Sequence, residues 1–513
     1  MGQNSGKDGA PPPAPAATKG TALGNGVGNG IALGPVFHII GILLTILGLG
    51  MLVPALADAA AGNSDWTAFV GSSAATLAVS GGMVLATSSK EHARFTVKQH
   101  FLLTTLSWCV LAAFGALPFM ISAARLSFTD AYYEAMSGLS TTGGTVIVGL
   151  DNAPPGVLLW RSLLNWFGGV GIIVMAIAVL PILRVGGMQL FRTESSDKGD
   201  KPFATVQDTA GAIAMTYLAL TILSAAAYHL AGMAWFDAIN HAMASIATGG
   251  FSTKDASLGW FDSHAVLWVA TFSMICGALP LTWYIRLLRG QRNAPVFGDS
   301  QVNALLAILL VAGVAMTLWA FTIVGLPFWD ALSHSAVNVT SIITGTGFVS
   351  TDYSTWGSFA VVAFFFFYFI GGCTGSTAGS IKVFRWQVLA LSMLNQMQRM
   401  LKPNRVLVPL YQGKVLDEDV VGSVINLAFA FMAAFGILSL LVAAMGVDYL
   451  SAASAVASAL ANAGPGLGPV VGPSGTMAPL PDAAKWVLSF AMLLGRLEVF
   501  TVLVLILPSF WRD

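Results

Sequence analysis

Four short polar loops that carry glycine recur along a chain that is otherwise strongly apolar, and their spacing is regular. Aligned on one glycine each, successive loops are 107, 97 and 117 residues apart. This regular period predicts four copies of one structural unit around a common axis. A ring of backbone carbonyls can replace the water shell of a cation, so four such loops indicate a cation-conducting pore. The aligned glycines are Gly143, Gly250, Gly347 and Gly464.

The composition is typical of a membrane protein. Of the 513 residues, 56% are hydrophobic and only 9% are charged, whereas soluble domains carry about 25% charged residues. Apolar runs long enough to span a bilayer recur, which predicts a polytopic α-helical membrane protein rather than a barrel of short alternating segments. The formal net charge is zero, so it implies no polyanionic partner. The three cysteines show no metal-ligand or disulfide spacing.

The chain divides into an N-terminal region and four similar units. Residues 1–34 contain few large apolar side chains and are predicted to be a disordered cytoplasmic tail. Residues 35–100 hold two spanning helices without a glycine loop, which form an accessory two-helix unit. Each later unit has a spanning helix, a short re-entrant half-helix and a second spanning helix. The fold class is therefore all-α, a pseudo-fourfold pore with ten spanning helices. The four units are predicted at 101–206, 207–300, 301–415 and 416–513.

The distribution of basic residues predicts the orientation in the membrane. Of 24 Lys and Arg residues, 17 fall in five stretches that share one side if ten helices span the membrane. By the positive-inside rule that side is cytoplasmic, so the N-terminus is predicted to be cytoplasmic and the glycine loops to face outward. The stretches are 90–98, 184–201, 286–292, 382–414 and Arg512.

The half-helices share positions at fixed distances before the aligned glycines. The residues thirteen positions before each glycine are candidates to cap the N-terminus of the half-helix. Another set lies nine positions before each glycine, and the histidines in both sets are assigned to capping or packing. The first set is Asp130, Asp237, His334 and Ser451, and the second is Glu134, His241, Asn338 and Ala455.

Physical chemistry favours cations at the loops. Non-helical backbone at membrane depth persists only where it is buried in protein or lines a water-filled path. Glycine permits positive φ, so carbonyl groups can point into a lumen. Each half-helix would direct its partly negative C-terminal end toward the axis. The alternative is that glycine and threonine only allow close helix packing, but four periodic copies make that explanation the weaker one.

A run of ten small or polar residues at 371–380 interrupts the apolar stretch after the third loop. Such a run should break a helix near the membrane interior. The functional interpretation is a mobile gate below the loops. The alternative is a tight crossing between two helices.

Two arginines lie within apolar segments. Arg496 is predicted in the middle of the last spanning helix, where a charge costs about 2.5–3.5 kcal/mol and is functional by default. Facing the pore, it would repel cations; the alternative is a structural ion pair, although Glu498 is poorly placed two positions along the same helix. Arg161 is interpreted as snorkelling to the outer interface.

The motifs together resemble the Trk/Ktr/HKT superfamily of potassium transporters, and most closely its bacterial TrkH type. The resemblance extends from about residue 36 to the C-terminus. The segments that carry it are 140–146, 160–171, 247–253, 344–352, 371–382, 462–468 and 494–500.

The resemblance implies a selectivity filter for K⁺, an intramembrane gate and a pore-blocking arginine. Glycine in all four loops is similar to the potassium-permeable members, whereas the fourth loop departs from the Thr/Gly-rich pattern of the others. The implied filter residues are Thr141, Thr142, Gly143, Thr248, Gly249, Gly250, Gly345, Thr346, Gly347, Asn462, Ala463 and Gly464. The implied gate residues are Gly371, Gly372, Thr374, Gly375, Ser376, Thr377, Gly379 and Arg496.

The resemblance also implies partners. Members form homodimers and bind a cytoplasmic ring of nucleotide-binding regulatory subunits of the TrkA type. K⁺ is then the transported ion, bound in the filter, and no organic cofactor is expected on this chain.

The resulting hypothesis is potassium uptake across the bacterial inner membrane through a channel-like pore. The alternative is a proton- or sodium-coupled symporter that works by alternating access, although such folds usually have two repeats. An enzyme is not expected, because no cluster of catalytic groups lies within the apolar segments.

Overall fold

The computed structural model is mostly helical and describes the chain in six segments. The predicted tail at 1–34 lies almost entirely outside the described residues, as does the basic stretch at 184–201. The described segments are 33–88, 95–178, 206–288, 298–404, 410–412 and 414–512.

Helices dominate the described segments except 410–412, which holds one strand of an antiparallel pair of two-residue strands. The helices are α1 Gly34–Gly50, α2 Leu52–Ala60, α3 Trp66–Ala86, α4 Val97–Gly115, α5 Leu117–Ile121, α6 Phe128–Leu139, α7 Pro155–Ala178, α8 Val206–Leu230, α9 Trp235–Ile246, α10 His264–Ala278, α11 Leu281–Leu288, α12 Ser300–Trp319, α13 Phe328–Ile343, α14 Ser358–Phe367, α15 Val383–Leu401, α16 Glu418–Ala444, α17 Tyr449–Ala461, α18 Asp482–Arg496, α19 Phe500–Leu503 and α20 Pro508–Arg512. The strands are β1 Leu410–Tyr411 and β2 Lys414–Val415.

Six helices in the described segments are long and apolar enough to cross a membrane, or eight if two bent pairs each count as one span. By helix length and composition, the described segments therefore do not confirm the prediction of ten spanning helices. The six are Gly34–Ala60, Trp66–Ala86, Val97–Ile121, Ala210–Leu230, Ser300–Val324 and Glu418–Ala444.

Two helices predicted as continuous are broken. The segment predicted as one helix over 264–288 bends by 93° between α10 and α11. Pro280 lies at this break and has no N–H for a helical hydrogen bond. The last helix, predicted over 483–507, ends at Arg496 and bends by 111° before α19. Glu498 has a φ of 58° at this second break, a conformation that ends a helix.

A short helix precedes each glycine loop. These helices, α6, α9, α13 and α17, are called half-helices 1 to 4 below. The longest has 16 residues and rises about 24 Å, less than the roughly 30 Å thickness of a bilayer core. Their C-terminal halves are almost fully buried, which places the loops inside the protein.

The predicted caps are wrong in all four half-helices. Half-helices 2 and 3 begin after Ala234 and Pro327 without a capping side chain, so Asp237 and His334 do not cap them. In half-helices 1 and 4 the cap lies three residues before the predicted position. Ser127 caps half-helix 1, because its Oγ accepts the Asp130 N–H at 3.1 Å. Asp448 caps half-helix 4 by accepting the Ser451 N–H at 3.0 Å. Asp130 and Ser451 therefore supply the donor N–H in the first turn.

The accessory helices α1 to α3 are attached to the first unit by a buried carboxylate. Asp58 in α2 is fully buried, and its Oδ1 accepts the N–H of Gly156 at 2.7 Å. Gly156 is the second residue of α7, so Asp58 supplies from another helix the acceptor that a capping side chain normally provides.

Replacing Asp58 with Ala should lower the free energy of unfolding by about 1 kcal/mol, because the Gly156 N–H loses its acceptor. The measurement is the thermal unfolding midpoint of the purified protein in detergent. Asp58→Asn is the control, since its amide oxygen can still accept the bond. Identical midpoints for the wild type and Asp58→Ala would contradict this role.

Candidate functional site

Each half-helix ends in the same backbone turn. The N–H of one residue with positive φ donates to the carbonyl three residues earlier, at 3.0–3.3 Å. The N–H of the next residue donates to the carbonyl five residues earlier, at 2.8–2.9 Å. This pair of bonds is the Schellman motif, which satisfies the free carbonyls at a helix C-terminus. The positive-φ residues are Thr141, Thr248, Gly345 and Asn462.

Two of these positions are unexpected from the sequence. Thr141 and Thr248 have φ values of 52° and 51°, a region that β-branched residues rarely occupy. Sequence reasoning assigned positive φ to glycine alone and missed them. Backbone strain of this kind persists only where the surrounding structure imposes it, and it concentrates at functional sites.

The aligned glycines repeat a second feature. Two residues after the first residue with positive φ, each loop has a second one. The φ values of these second residues, Gly143, Gly250, Gly347 and Gly464, lie between 70° and 92°. The four loops thus share one backbone conformation although their side chains differ. The fourth loop, which departs most in sequence, follows the same path because asparagine tolerates the left-handed region.

The four loops form a closed ring. A Cβ atom added to any aligned glycine would lie within 3.0 Å of a carbonyl oxygen in the next loop. In every case that oxygen belongs to the residue just before the next loop's aligned glycine. The pairs are Gly143 with Gly249, Gly250 with Thr346, Gly347 with Ala463, and Gly464 with Thr142. The structure therefore brings the twelve residues predicted as the filter into one place.

Side-chain hydrogen bonds support the ring. Asn462 Nδ2 donates to Thr142 Oγ1 at 3.0 Å and to the Met492 carbonyl at 3.0 Å, which ties loop 4 to loop 1 and to α18. Thr344 Oγ1 lies 2.7 Å from Thr346 Oγ1, within the third loop.

In three units the residue nine positions before the glycine braces the returning loop, and in the fourth the residue ten positions before it does so. Glu134 accepts the N–H of Val146 at 2.9 Å, and Asn338 accepts the N–H of Ser350 at 3.0 Å. Each accepted N–H lies three residues beyond an aligned glycine. In the other two loops the braces are a 2.9 Å bond between His241 Nε2 and Ser252 Oγ, and a 2.8 Å bond from the Leu467 N–H to Ser454 Oγ.

The run 371–380 is non-helical and lies against the C-terminal ends of the half-helices. Thr377 Oγ1 donates to the carbonyl of Ile246, the last residue of half-helix 2, at 2.9 Å. The Thr248 hydroxyl reaches the same Thr377 Oγ1 at 3.2 Å. A Cβ at Gly379 would lie within 3.0 Å of the Ala461 carbonyl, at the end of half-helix 4.

The other residues predicted for the gate hold the run to the surrounding helices. Gly375 accepts the N–H of Leu281 at 3.1 Å, and the N–H of Thr374 donates to Gln301 at 3.0 Å. Within the run, Ser376 Oγ donates to the Cys373 carbonyl. At its two ends the Gly371 N–H donates to Ile381 and the Gly372 carbonyl accepts from Val383.

Arg496 lies beneath this run. Its guanidinium donates to the Thr377 carbonyl at 2.8 Å and to the Gly168 carbonyl at 3.4 Å, and only 4% of the residue is exposed. Among the described residues no carboxylate lies within 4.0 Å of it. Glu498 instead pairs with Arg385 at 2.5 Å. The local structure therefore does not support the alternative of an ion pair for Arg496.

Arg161 does not snorkel to the outer interface, so that interpretation is wrong. It is 1% exposed and pairs with Glu134 at 2.8 Å. Sequence reasoning missed the pair because the two residues are 27 positions apart and lie on different helices, α6 and α7.

These features define a multi-pass helical membrane protein with polar loops enclosed among its helices. Residues 67–512 match the family model for TrkH, described as a cation transport protein. The chain therefore belongs to the TrkH family, which confirms the resemblance, and as a member of a transporter family it is not an enzyme.

Named relatives are similar over nearly their whole length. The Trk system potassium uptake protein TrkI of Halomonas elongata is 42% identical over 93% of this chain and 97% of its own. The Trk system potassium uptake protein TrkH of Escherichia coli K12 is 36% identical over 93% of this chain and 99% of its own. The crystal structure of the potassium transporter TrkH from Vibrio parahaemolyticus superposes with a TM-score of 0.86 at 36% identity, and covers 94% of this chain and 100% of that one.

Replacing Gly347 with Ala should lower the free energy of unfolding by about 2 kcal/mol or more, because the added Cβ would meet the Ala463 carbonyl and φ is 92°. Gly313→Ala is the matched control. That glycine is helical and nothing lies within 4 Å of an added Cβ, so no loss is expected. Thermal unfolding of both purified variants checks the prediction, which fails if Gly347→Ala is as stable as Gly313→Ala.

Proposed function

We propose that the protein takes up K⁺ across the bacterial inner membrane through a channel-like pore, with the ring of four loops as the selectivity filter. The observation that carries this proposal is the cyclic contact between each aligned glycine and the carbonyl of the next loop. The names of the relatives, potassium uptake proteins, support K⁺ as the ion.

The backbone at the ring suits a weakly hydrated cation. Four half-helices end beside the ring, and each C-terminus carries roughly half a negative charge. In this proposal the carbonyl groups of the twelve filter residues replace water around the ion. The membrane potential drives entry, since 100 mV supplies about 2.3 kcal/mol for a monovalent cation.

The run 371–380 and Arg496 form the gate in this proposal. Both lie where a cation leaving the ring would pass, since the run touches the ends of half-helices 2 and 4. The Arg496 guanidinium holds the run through the Thr377 carbonyl and adds a positive charge next to the path. Movement of the run would remove the steric and the electrostatic barrier together.

The remaining parts of the proposal concern organisation. Four helix–half-helix–helix units at 101–206, 207–300, 301–415 and 416–513 surround the pore, after the accessory unit at 35–100. The N-terminus is cytoplasmic. The working assembly is a homodimer that binds a cytoplasmic ring of TrkA-type nucleotide-binding subunits, which moves the gate.

Reconstitution tests the function. The purified chain is placed in liposomes loaded with K⁺, and rubidium uptake is followed under an imposed potential without a proton or sodium gradient. Uptake that external K⁺ suppresses, and Na⁺ suppresses poorly, is expected for a passive selective pore. Uptake only after a proton or sodium gradient is added would replace this proposal with the coupled symporter.

Replacing Arg496 with Ala should raise rubidium flux roughly tenfold. At about 10 Å and an effective dielectric constant of about 20, a fixed positive charge opposes a cation by about 1–2 kcal/mol. Arg512→Ala, a change at an exposed arginine, is the control. Equal flux through the wild type and Arg496→Ala would rule out the barrier role.

A further inference from the structure

One buried ion pair stands directly behind the ring. Glu134 of half-helix 1 is 0% exposed and Arg161 of α7 is 1% exposed, with Nε and Oε1 2.8 Å apart. Two charges withdrawn from water in this way persist only when further hydrogen bonds satisfy them. The partners of each charge therefore indicate what the pair holds in place.

The carboxylate of Glu134 holds the first loop. It accepts the N–H of Val146 at 2.9 Å and the hydroxyl of Thr145 at 2.9 and 3.1 Å. Thr145 and Val146 follow Gly143 by two and three positions, so the carboxylate fixes the segment that leaves the ring.

The guanidinium of Arg161 holds the second loop. Its Nη1 donates to the carbonyl of Ser252 at 2.6 Å, and its Cζ lies 4.1 Å from the centre of the Phe251 ring. Phe251 and Ser252 directly follow Gly250. The ion pair therefore joins loops 1 and 2, the same two loops that meet where Gly143 faces the Gly249 carbonyl.

The other three units have no charge at the corresponding position. They carry an imidazole, an amide and a methyl group, at His241, Asn338 and Ala455. A carboxylate of half-helix 2 also braces its own loop, since Asp237 Oδ1 accepts the Thr253 hydroxyl at 2.6 Å, but that bond stays within one unit. The Glu134–Arg161 pair instead links two loops. Charge-assisted hydrogen bonds are roughly twice as strong as neutral ones, so this link between two loops is stronger than a neutral one would be.

We propose that the Glu134–Arg161 pair fixes the spacing of loops 1 and 2 and is a positioning element that sets the preference for K⁺ over Na⁺. This inference rests on the proposed function of the ring as a filter. The pair does not touch the ion. It prevents the carbonyl groups of two adjacent loops from moving inward around a smaller cation, and both the size of the site and the number of coordinating carbonyls contribute to selectivity.

The test is the K⁺/Na⁺ permeability ratio of Glu134→Gln in liposomes. Glutamine has nearly the same shape, and its oxygen can still accept the Val146 N–H, but its NH2 group then faces the Arg161 Nε–H, so the variant breaks the pair and keeps the loop bond. The ratio is expected to fall by about tenfold, which corresponds to about 1.4 kcal/mol. Because the ratio is measured on conducting molecules only, a smaller folded fraction does not change it.

The matched control is Asp130→Asn, the same chemical change four residues earlier on half-helix 1. Asp130 also forms an ion pair, with Lys485 at 2.6 Å, but that pair joins α6 to α18 and contacts no glycine loop. The K⁺/Na⁺ permeability ratio of Asp130→Asn should stay within about twofold of the wild-type ratio, whereas the ratio of Glu134→Gln falls about tenfold. An unchanged ratio in Glu134→Gln, or an equal fall in both variants, would overturn the proposal.

A lone buried arginine could prevent Glu134→Gln from folding. The double variant Glu134→Gln/Arg161→Met then decides, because it leaves no unpaired charge and the same fall is expected. If that protein is also lost, Thr145→Val decides, since it leaves the ion pair intact and removes the hydroxyl that donates to the carboxylate and accepts the Ile147 N–H. A smaller fall supports the pair, and a wild-type ratio in Thr145→Val counts against it.

A second readout separates this inference from the proposed function. The unfolding midpoint of each purified protein is measured in KCl and in NaCl, because an ion that binds the folded state raises it. A K⁺-specific rise that is lost in Glu134→Gln and kept in Asp130→Asn supports the positioning role without any transport assay. Absent rubidium uptake by the wild type would refute the proposed function, and an absent K⁺-specific rise in the wild type would refute the site itself.

Discussion

The structure depends on how closely four segments of bare backbone approach each other inside an apolar protein. At each contact a glycine Cα faces a carbonyl oxygen of the next loop with no room for a Cβ atom. Backbone outside a helix must find hydrogen-bond partners at membrane depth or line a water-filled path. Four glycines at matching positions allow this approach, and the helices around them hold the four loops in register.

The ends of the half-helices solve the first part of this problem. A Schellman motif closes each helix, so the last carbonyls are satisfied before the chain turns into the ring. The motif places threonine in the left-handed region at positions 141 and 248, at a cost in local backbone strain. Side chains from the preceding half-helix then hold the segment that leaves the ring. Asn338, for example, accepts the Ser350 N–H.

Breaks in the helices position Arg496 and the run 371–380. The 111° bend after Arg496 ends α18 below the ring and leaves the guanidinium on the carbonyls of Thr377 and Gly168. The same bend turns Glu498 away from Arg496 and onto Arg385, at the start of α15. The run 371–380 lies between the end of α18 and the start of α15. Its position therefore depends on the bend after Arg496 as well as on its own small residues.

The sequence by itself determined the membrane class, the period of the glycine loops and the short helix before each loop, because hydrophobic run length and glycine spacing are local properties. It also predicted the non-helical run at 371–380 and the family. The break at Pro280 has a local signal as well, the missing N–H of proline, which sequence reasoning overlooked. Only the tertiary structure decided the cyclic contacts of the loops, the partners of Glu134 and Arg161, and the break after Arg496. Those features depend on groups far apart in the chain, such as the 320 positions between Thr142 and Asn462. No local pattern encodes such pairs, because packing of the complete bundle selects them.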